Sequence, residues 1–355
     1  MPDMRTSREL FLEAVKGGLS AEVPVFPRDL TLGLDITGAA TTEVFGPPYD
    51  PRASAEAILA LQNAVGHDAV VGCIFGCMVT GFGVELGIPE KGVPYPKDSP
   101  FTDISALDAA SPDSVRDEML SGMRESYRIV RDKRDDLAVV MNLAGPVTNG
   151  GNLRNMEMLL MDMISDPDTA HRIMDFSVEA IISAMDYIGA DLADALFLAS
   201  ATDNPDLLGD GMYAEYCIPA LKRVCSAAKD MGMPSVFHPH GKFDDGSSEI
   251  LDATVRTGID CFQFSEENDG PSVMRRINGK CSIMGGPDVM TTLLNGTREE
   301  IISDTVRFLE DFQDHAYIMS CSCSLHRGFP VGNLSLMTSA AHAFRRGSAA
   351  DRKGS

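Results

Sequence analysis

Eight short apolar runs, each followed by a stretch of helical periodicity, constrain this chain more than any other feature. They lie at 23–26 (VPVF), 68–75 (DAVVGCIF), 137–143 (LAVVMNL), 195–200 (ALFLAS), 235–238 (SVFH), 259–264 (IDCFQF), 281–285 (CSIMG) and 316–321 (AYIMSC). Most are bounded by Gly, Asp or Pro, and runs apolar on both faces are what buried parallel strands require. Helical patterns fall between them at 53–65, 156–163, 167–188, 210–231, 247–257, 271–277 and 298–312. Ser165-Asp166-Pro167 and Asn295-Gly296-Thr297 read as helix starts, with a capping residue placed just before the first turn. Strictly alternating strands and helices predict an α/β fold, a (β/α)8 TIM barrel with an N-terminal helical extension, and a doubly wound open sheet is the structural alternative.

Length and charge agree with that expectation. The chain has 355 residues, enough to bury its own core without disulfide staples. No composition break marks a second domain, so residues 1–345 are expected to form one barrel domain and 346–355 a polar tail. Residues 28–52 and 76–114 are rich in Gly, Pro and Asp and read as long loops after the first two strands, where barrel enzymes build their active sites. A net charge of −22 argues against nucleic acid or an anionic membrane as a partner, because phosphate binding needs clustered Lys and Arg. The first fifteen residues read as a helix start rather than a secretion signal, and the eight cysteines are scattered. Reduced thiols in a cytoplasmic, soluble enzyme are the expectation.

Chemistry concentrates at two strand ends. His238-Pro239-His240 closes the fifth run. Side chains two apart in a strand share a face, and Pro239 should end the strand there, so both imidazoles can turn into the barrel mouth. The last run leads into Ser320-Cys321-Ser322-Cys323-Ser324-Leu325-His326, which brings one or two thiols and another histidine to the same end. Two imidazoles and one thiolate leave zinc an open fourth position, as in a catalytic site. The bland alternative is a polar turn plus small buried cysteines. Cys73 and Cys77 read as packing residues, and the twenty methionines as core filler. Asn142 and Gly145 end the third run and Asp203 follows the fourth. They stand where loop architecture or site residues are both expected: Asn142 and Gly145 for cofactor binding, Asp203 for the catalytic set. No Walker loop, dinucleotide fingerprint or nucleophile elbow is present.

With these residues in place the chain resembles the uroporphyrinogen decarboxylase superfamily. The resemblance is carried by TSRELFLEAVKGGLSAEVPVFP, AGPVTNGGNLRNMEMLLMDMISDPDTAHRIMD, YAEYCIPALKRV, SIMGGPDVMTTLLNGTREEI and SCSCSLHRGFPVGN. The decarboxylase branch implies an arginine cluster after the first strand and an aspartate in a later one. This chain has one arginine there, Arg28, and Leu198 stands about where the aspartate would be. The branch of cobamide-dependent methyltransferases, of the methylcobalamin:coenzyme M type, implies a His-x-Cys pair and a cysteine near the last strand. His238 matches the histidine, His240 replaces the first cysteine, and Cys323 matches the second by its spacing to Pro330 and Asn333, with Cys321 as back-up ligand.

The resemblance therefore implies a zinc-dependent methyltransferase. It would move a methyl group between a corrinoid, carried on a separate corrinoid protein, and a thiol, alcohol or methoxylated small molecule. His238, His240 and Cys323 would be both metal ligands and catalytic residues. The enzyme alternative is a metal-free, decarboxylase-like carboxy-lyase. The non-enzyme alternative is a barrel kept only as a partner for a corrinoid protein.

Overall fold

Seven of the eight apolar runs form parallel strands in the computed structural model, which describes residues 5–244 and 249–346. They are β1 (Ala69–Val71), β2 (Ala138–Ala144), β3 (Ala195–Ser200), β4 (Ser235–Pro239), β5 (Cys261–Gln263), β6 (Ser282–Gly285) and β7 (Tyr317–Met319). Each pairs with the next in chain order, and the register sets Ala199 opposite His238 and Gly285 opposite Met319. Almost every strand residue is buried, as a sheet covered on both faces demands.

The run at 23–26 is not the regular strand its composition predicts. Pro24 and Pro27 lack the N–H groups that a ladder needs, and only Val25 makes a parallel bridge, to Met319. Phe26 N–H donates to Met319 O and Met319 N–H to Pro24 O, both at 2.9 Å. On the opposite side Asp68 N–H donates to Val25 O at 2.9 Å, and Asp68 Oδ2 accepts from Val25 N–H at 2.8 Å. The run is thus bonded to both edges of the sheet and closes the cylinder, which makes the fold a TIM barrel rather than an open sheet.

The first helix, Ser7–Val15, begins with a reciprocal capping box between Thr6 and Glu9. Its backbone meets Asp136, ahead of β2, and Ser282, the first residue of β6, so it seals the N-terminal end of the barrel. Asp166 caps the 22-residue helix Pro167–Ile188, and Thr297 caps Arg298–Asp311. These are the two starts expected from sequence. The pattern at 210–231 is broken instead: Pro205–Met212 and Ile218–Asp230 are α-helices, and Tyr213–Cys217 winds as a π-helix between them. Pro219 removes an N–H just past this segment and so favours the wider winding.

The two long loops carry more structure than their composition suggested. Residues 28–52 contain the short helices Gly33–Thr37 and Thr41–Phe45, and 76–114 contain an antiparallel pair, Leu86–Gly87 with Tyr95–Pro96. Asp29 holds the first of them by accepting from Leu32 N–H at 2.6 Å and Gly33 N–H at 3.2 Å. The helix pattern at 247–257 is seen as Ile250–Val255, with 247 and 248 outside the described residues. Of the polar tail only Arg346 is described. No helix among the described residues is long and apolar enough to cross a membrane.

Candidate metal centre at the barrel mouth

The pleat of β4 sends Phe237 outward, against Phe262, and His238 inward, against Phe197. The strand ends at Pro239, and His240 is pinned by its N–H to Ser200 O at 3.2 Å. Gly241 then turns the chain away with φ of +86°, and a Cβ there would sit 3.0 Å from Asn204, so a left-handed residue without a side chain is required. On the other wall, Cys323 follows β7. Its approach is set by Ser322, whose N–H donates to Pro287 O and whose Oγ accepts from Val289 N–H, both at 3.1 Å.

These constraints converge. One ligand atom each from His238, His240 and Cys323 lies within 4.8 Å of the others, and they form the one such group of His, Cys, Asp or Glu side chains found among the described residues. Cys323 Sγ is 3.6 Å from His240 Nε2, and the two imidazole centroids are 5.2 Å apart. His238 is 1% exposed, and neither of its ring nitrogens has a hydrogen-bond partner. An unsatisfied buried polar atom costs about 1–3 kcal/mol, and an ion held by one ring nitrogen would account for one of the two.

Electrostatics prepare Cys323 and His238 for a cation, while the contact with Cys323 holds the His240 pKa above its ordinary value. Burial opposes a charged Cys323, but His238, His240 and Arg28 together outweigh it and hold the thiol down to about 3. Burial pushes His238 down to about 4, leaving it neutral at pH 7. Metal ligands must be deprotonated, and a thiolate beside a neutral imidazole satisfies that condition. Cys321 is left out of the cluster. It is fully buried, burial pushes its thiol far up, and its carbonyl accepts from Gln263 Nε2 at 2.9 Å.

The cluster lines a cavity of about 330 Å³ at the mouth, shared with Phe75, Cys77, Tyr95, Ser200 and His326. A larger surface cleft of about 590 Å³ between Thr291 and Arg307 has no comparable donor set, so chemistry favours the smaller one. Asn142 belongs to the mouth: its Oδ1 accepts from Arg28 Nη1 at 3.1 Å. Gly145 supports the wall from behind, since any Cβ would lie 1.9 Å from Ser200 Oγ. Asp203 does not reach the cavity. Its Oδ1 accepts from Val147 N–H at 2.9 Å and its Oδ2 from Thr148 N–H at 2.8 Å, so it caps helix Pro146–Arg154.

Sequence reasoning gave Arg28 no place in the site. Its guanidinium is buried, stacks 4.8 Å over the Phe197 ring, and leaves Nε without a partner. The signal was its position just after the first run, where a side chain enters the mouth.

The profile described as uroporphyrinogen decarboxylase (URO-D) matches residues 6–344. The chain belongs to the uroporphyrinogen decarboxylase family. Within that family it is similar to a methylated-thiol–coenzyme M methyltransferase of Methanosarcina mazei, 28% identical over 199 residues, a match spanning 56% of this chain and only about half, 51%, of that protein. It is similar to a methylcobamide:CoM methyltransferase, MtaA, of Methanosarcina barkeri, 23% identical over 86% of this chain and 88% of that one. It is also similar to a uroporphyrinogen decarboxylase of Ralstonia pickettii, 24% identical over 89% of this chain and 84% of that one. A solved methyltransferase from Methanosarcina mazei superposes with a TM-score of 0.85 at 22% identity, covering 96% of this chain and 99% of that chain. That likeness establishes the URO-D barrel.

Proposed function

We propose that the protein is a zinc-dependent methyltransferase that moves a methyl group between a corrinoid and a small thiol, alcohol or methoxylated molecule. The observation that carries this reading is the convergence of His238, His240 and Cys323 around a buried, unpartnered imidazole. These three side chains would hold the ion and leave a fourth position facing the cavity. Zinc, when bound, supplies Lewis acidity that lowers the pKa of the acceptor's S–H or O–H group.

The chain itself does the rest. Phe75 and Tyr95 give the cavity its aromatic wall. Arg28, a buried cation held by Asn142, faces the acceptor's polar end. The corrinoid would arrive on a separate corrinoid protein docked over the barrel mouth. The relatives named methylcobamide:CoM methyltransferases support the corrinoid as methyl carrier. The rival metal-free carboxy-lyase finds one arginine, Arg28, among the described residues that line the cavity for its anionic substrate, and it gives neither His238 nitrogen a partner.

Two measurements test the proposal together: elemental analysis of the purified protein, and methyl transfer between methylcobalamin and a panel of thiols and methoxyarenes. About one zinc per chain and transfer that stops on chelation are expected. Full turnover by metal-free protein would overturn it.

A further inference from the structure

Two segments distant in sequence run side by side at the mouth. Leu325 N–H donates to Arg28 O and Leu30 N–H to Leu325 O, each at 3.0 Å, around a parallel bridge between Asp29 and Leu325. Extended chain alternates its faces. Asp29 and Leu325 are accordingly buried away from the cavity, whereas Arg28, Leu30, Ser324 and His326 line it. His326 is fixed from its far side as well. Arg327 N–H donates to Thr31 Oγ1 at 3.2 Å, and the Arg327 guanidinium pairs with Asp35 at 2.8 Å. The His326 ring lies edge-on to Phe329 at 6.2 Å, and its Nδ1 is buried without a partner.

Among the described residues no carboxylate lines this cavity. The titratable and charged groups around His326 are Arg28 on the paired segment, His238 and His240 from β4, Cys323 on its own segment, and Cys77 and Tyr95 from the loop after β1. His238, His240 and Cys323 are the convergent donor set. Cys77 is held up to about 11 by burial, and Arg28 is a cation, so neither accepts a proton at neutral pH. Burial also keeps His326 below the usual histidine range, as an uncharged ring.

We propose that His326 is the proton acceptor of this site, taking the proton of the acceptor's S–H or O–H group as that group enters the cavity. The S–H or O–H bond breaks, its electron pair stays on sulfur or oxygen, and the proton becomes an N–H of the imidazole. The adjacent anion holds that proton on the ring, and once methyl transfer has neutralised the sulfur or oxygen the imidazolium yields it to water. The proposal rests on the methyl-transfer reading and adds to it the group that prepares the acceptor.

The test uses full-length, zinc-loaded protein with 2-mercaptoethanol as probe thiol and methylcobalamin as donor. His326→Gln should keep its zinc and lose about 100-fold in kcat/KM for the thiol, with the acidic limb of that profile displaced. His326→Ala should be rescued by free imidazole. Titration calorimetry of the thiol alone, in two buffers of different ionisation enthalpy, counts the protons set free. At pH 6 wild type should release fewer than His326→Gln, because the ring retains them. Unchanged kcat/KM and proton count, loss of zinc in both variants, or absence of imidazole rescue would each overturn the assignment. Wild-type protein that binds zinc but moves no methyl group would overturn the methyl-transfer reading instead, and the proton count would still decide the role of His326.

Discussion

A pocket with two imidazoles and one thiolate is one charge more positive than a pocket with one imidazole and two thiolates, and this difference has a measurable consequence. With two neutral histidines and one thiolate, bound zinc keeps a formal charge of +1 and draws an acceptor's proton off more easily. His240→Cys should therefore retain zinc but move the acidic limb of the methyl-transfer profile to higher pH, since a second thiolate cancels the charge. An unmoved limb would refute the charge argument. A double variant, His238→Ala with Cys323→Ala, should fall well below one zinc per chain by elemental analysis, because it removes two of three convergent donors. The convergence of the three donor side chains was legible in the sequence since HPH and SCSC each sit at the end of an apolar run, where residue spacing fixes direction. Arg28 was not legible as a site residue, because a lone arginine gives no sign of burial. Only packing shows its guanidinium stacked on Phe197.

Elements, more than single residues, decide how precisely those donors are held. Helix Pro146–Arg154 starts at the cavity wall, and Asp203 takes up its first free N–H groups. Asp203→Ala should cost about 2 kcal/mol of unfolding stability, the upper end for a lost helix cap, while zinc content stays that of wild type. Loss of zinc in that variant would give Asp203 a more direct part in the site. Buried strands were readable because continuous apolar runs have few other uses. The short helices at 33–37 and 41–45 were not, since long-range partners stabilise them: Thr41 Oγ1 reaches Glu90 O at 3.3 Å, 49 residues away. The π-turn at Tyr213–Cys217 was hidden for a different reason: it lies within a periodicity that an unbroken α-helix would also satisfy.

At the scale of the whole molecule, an ionic contact ties the last described helix, Val331–Ala343, to the barrel floor. His342 Nε2 lies 2.8 Å from Asp68 Oδ2, and the same carboxylate accepts from Ser7 Oγ at 2.7 Å and from Val25 N–H at 2.8 Å. The hydrogen bond to Asp68 raises the His342 pKa above its ordinary value. A raised folded-state pKa stabilises fully below the unfolded value of about 6.5 and is lost as pH climbs through the folded one. His342→Gln should therefore melt below wild type at pH 6 and match it in alkaline buffer. A pH-independent gap would assign the contact to packing alone. The ring is partly exposed, so salt should weaken the effect.

The seam at Val25 has a consequence in time as well as in space. Ser320 Oγ bonds Phe26 O at 2.7 Å across 294 residues of sequence, while His238 and His240 lie between these two ends. Contacts so distant along the chain form late, after local helices and neighbouring strands have paired. A growing chain thus carries two of its donors long before the third exists, and Cys323 joins them only when the barrel zips shut. On the proposed zinc reading, capture of the ion would mark the end of maturation, and a truncated or half-folded chain would lack the complete donor set.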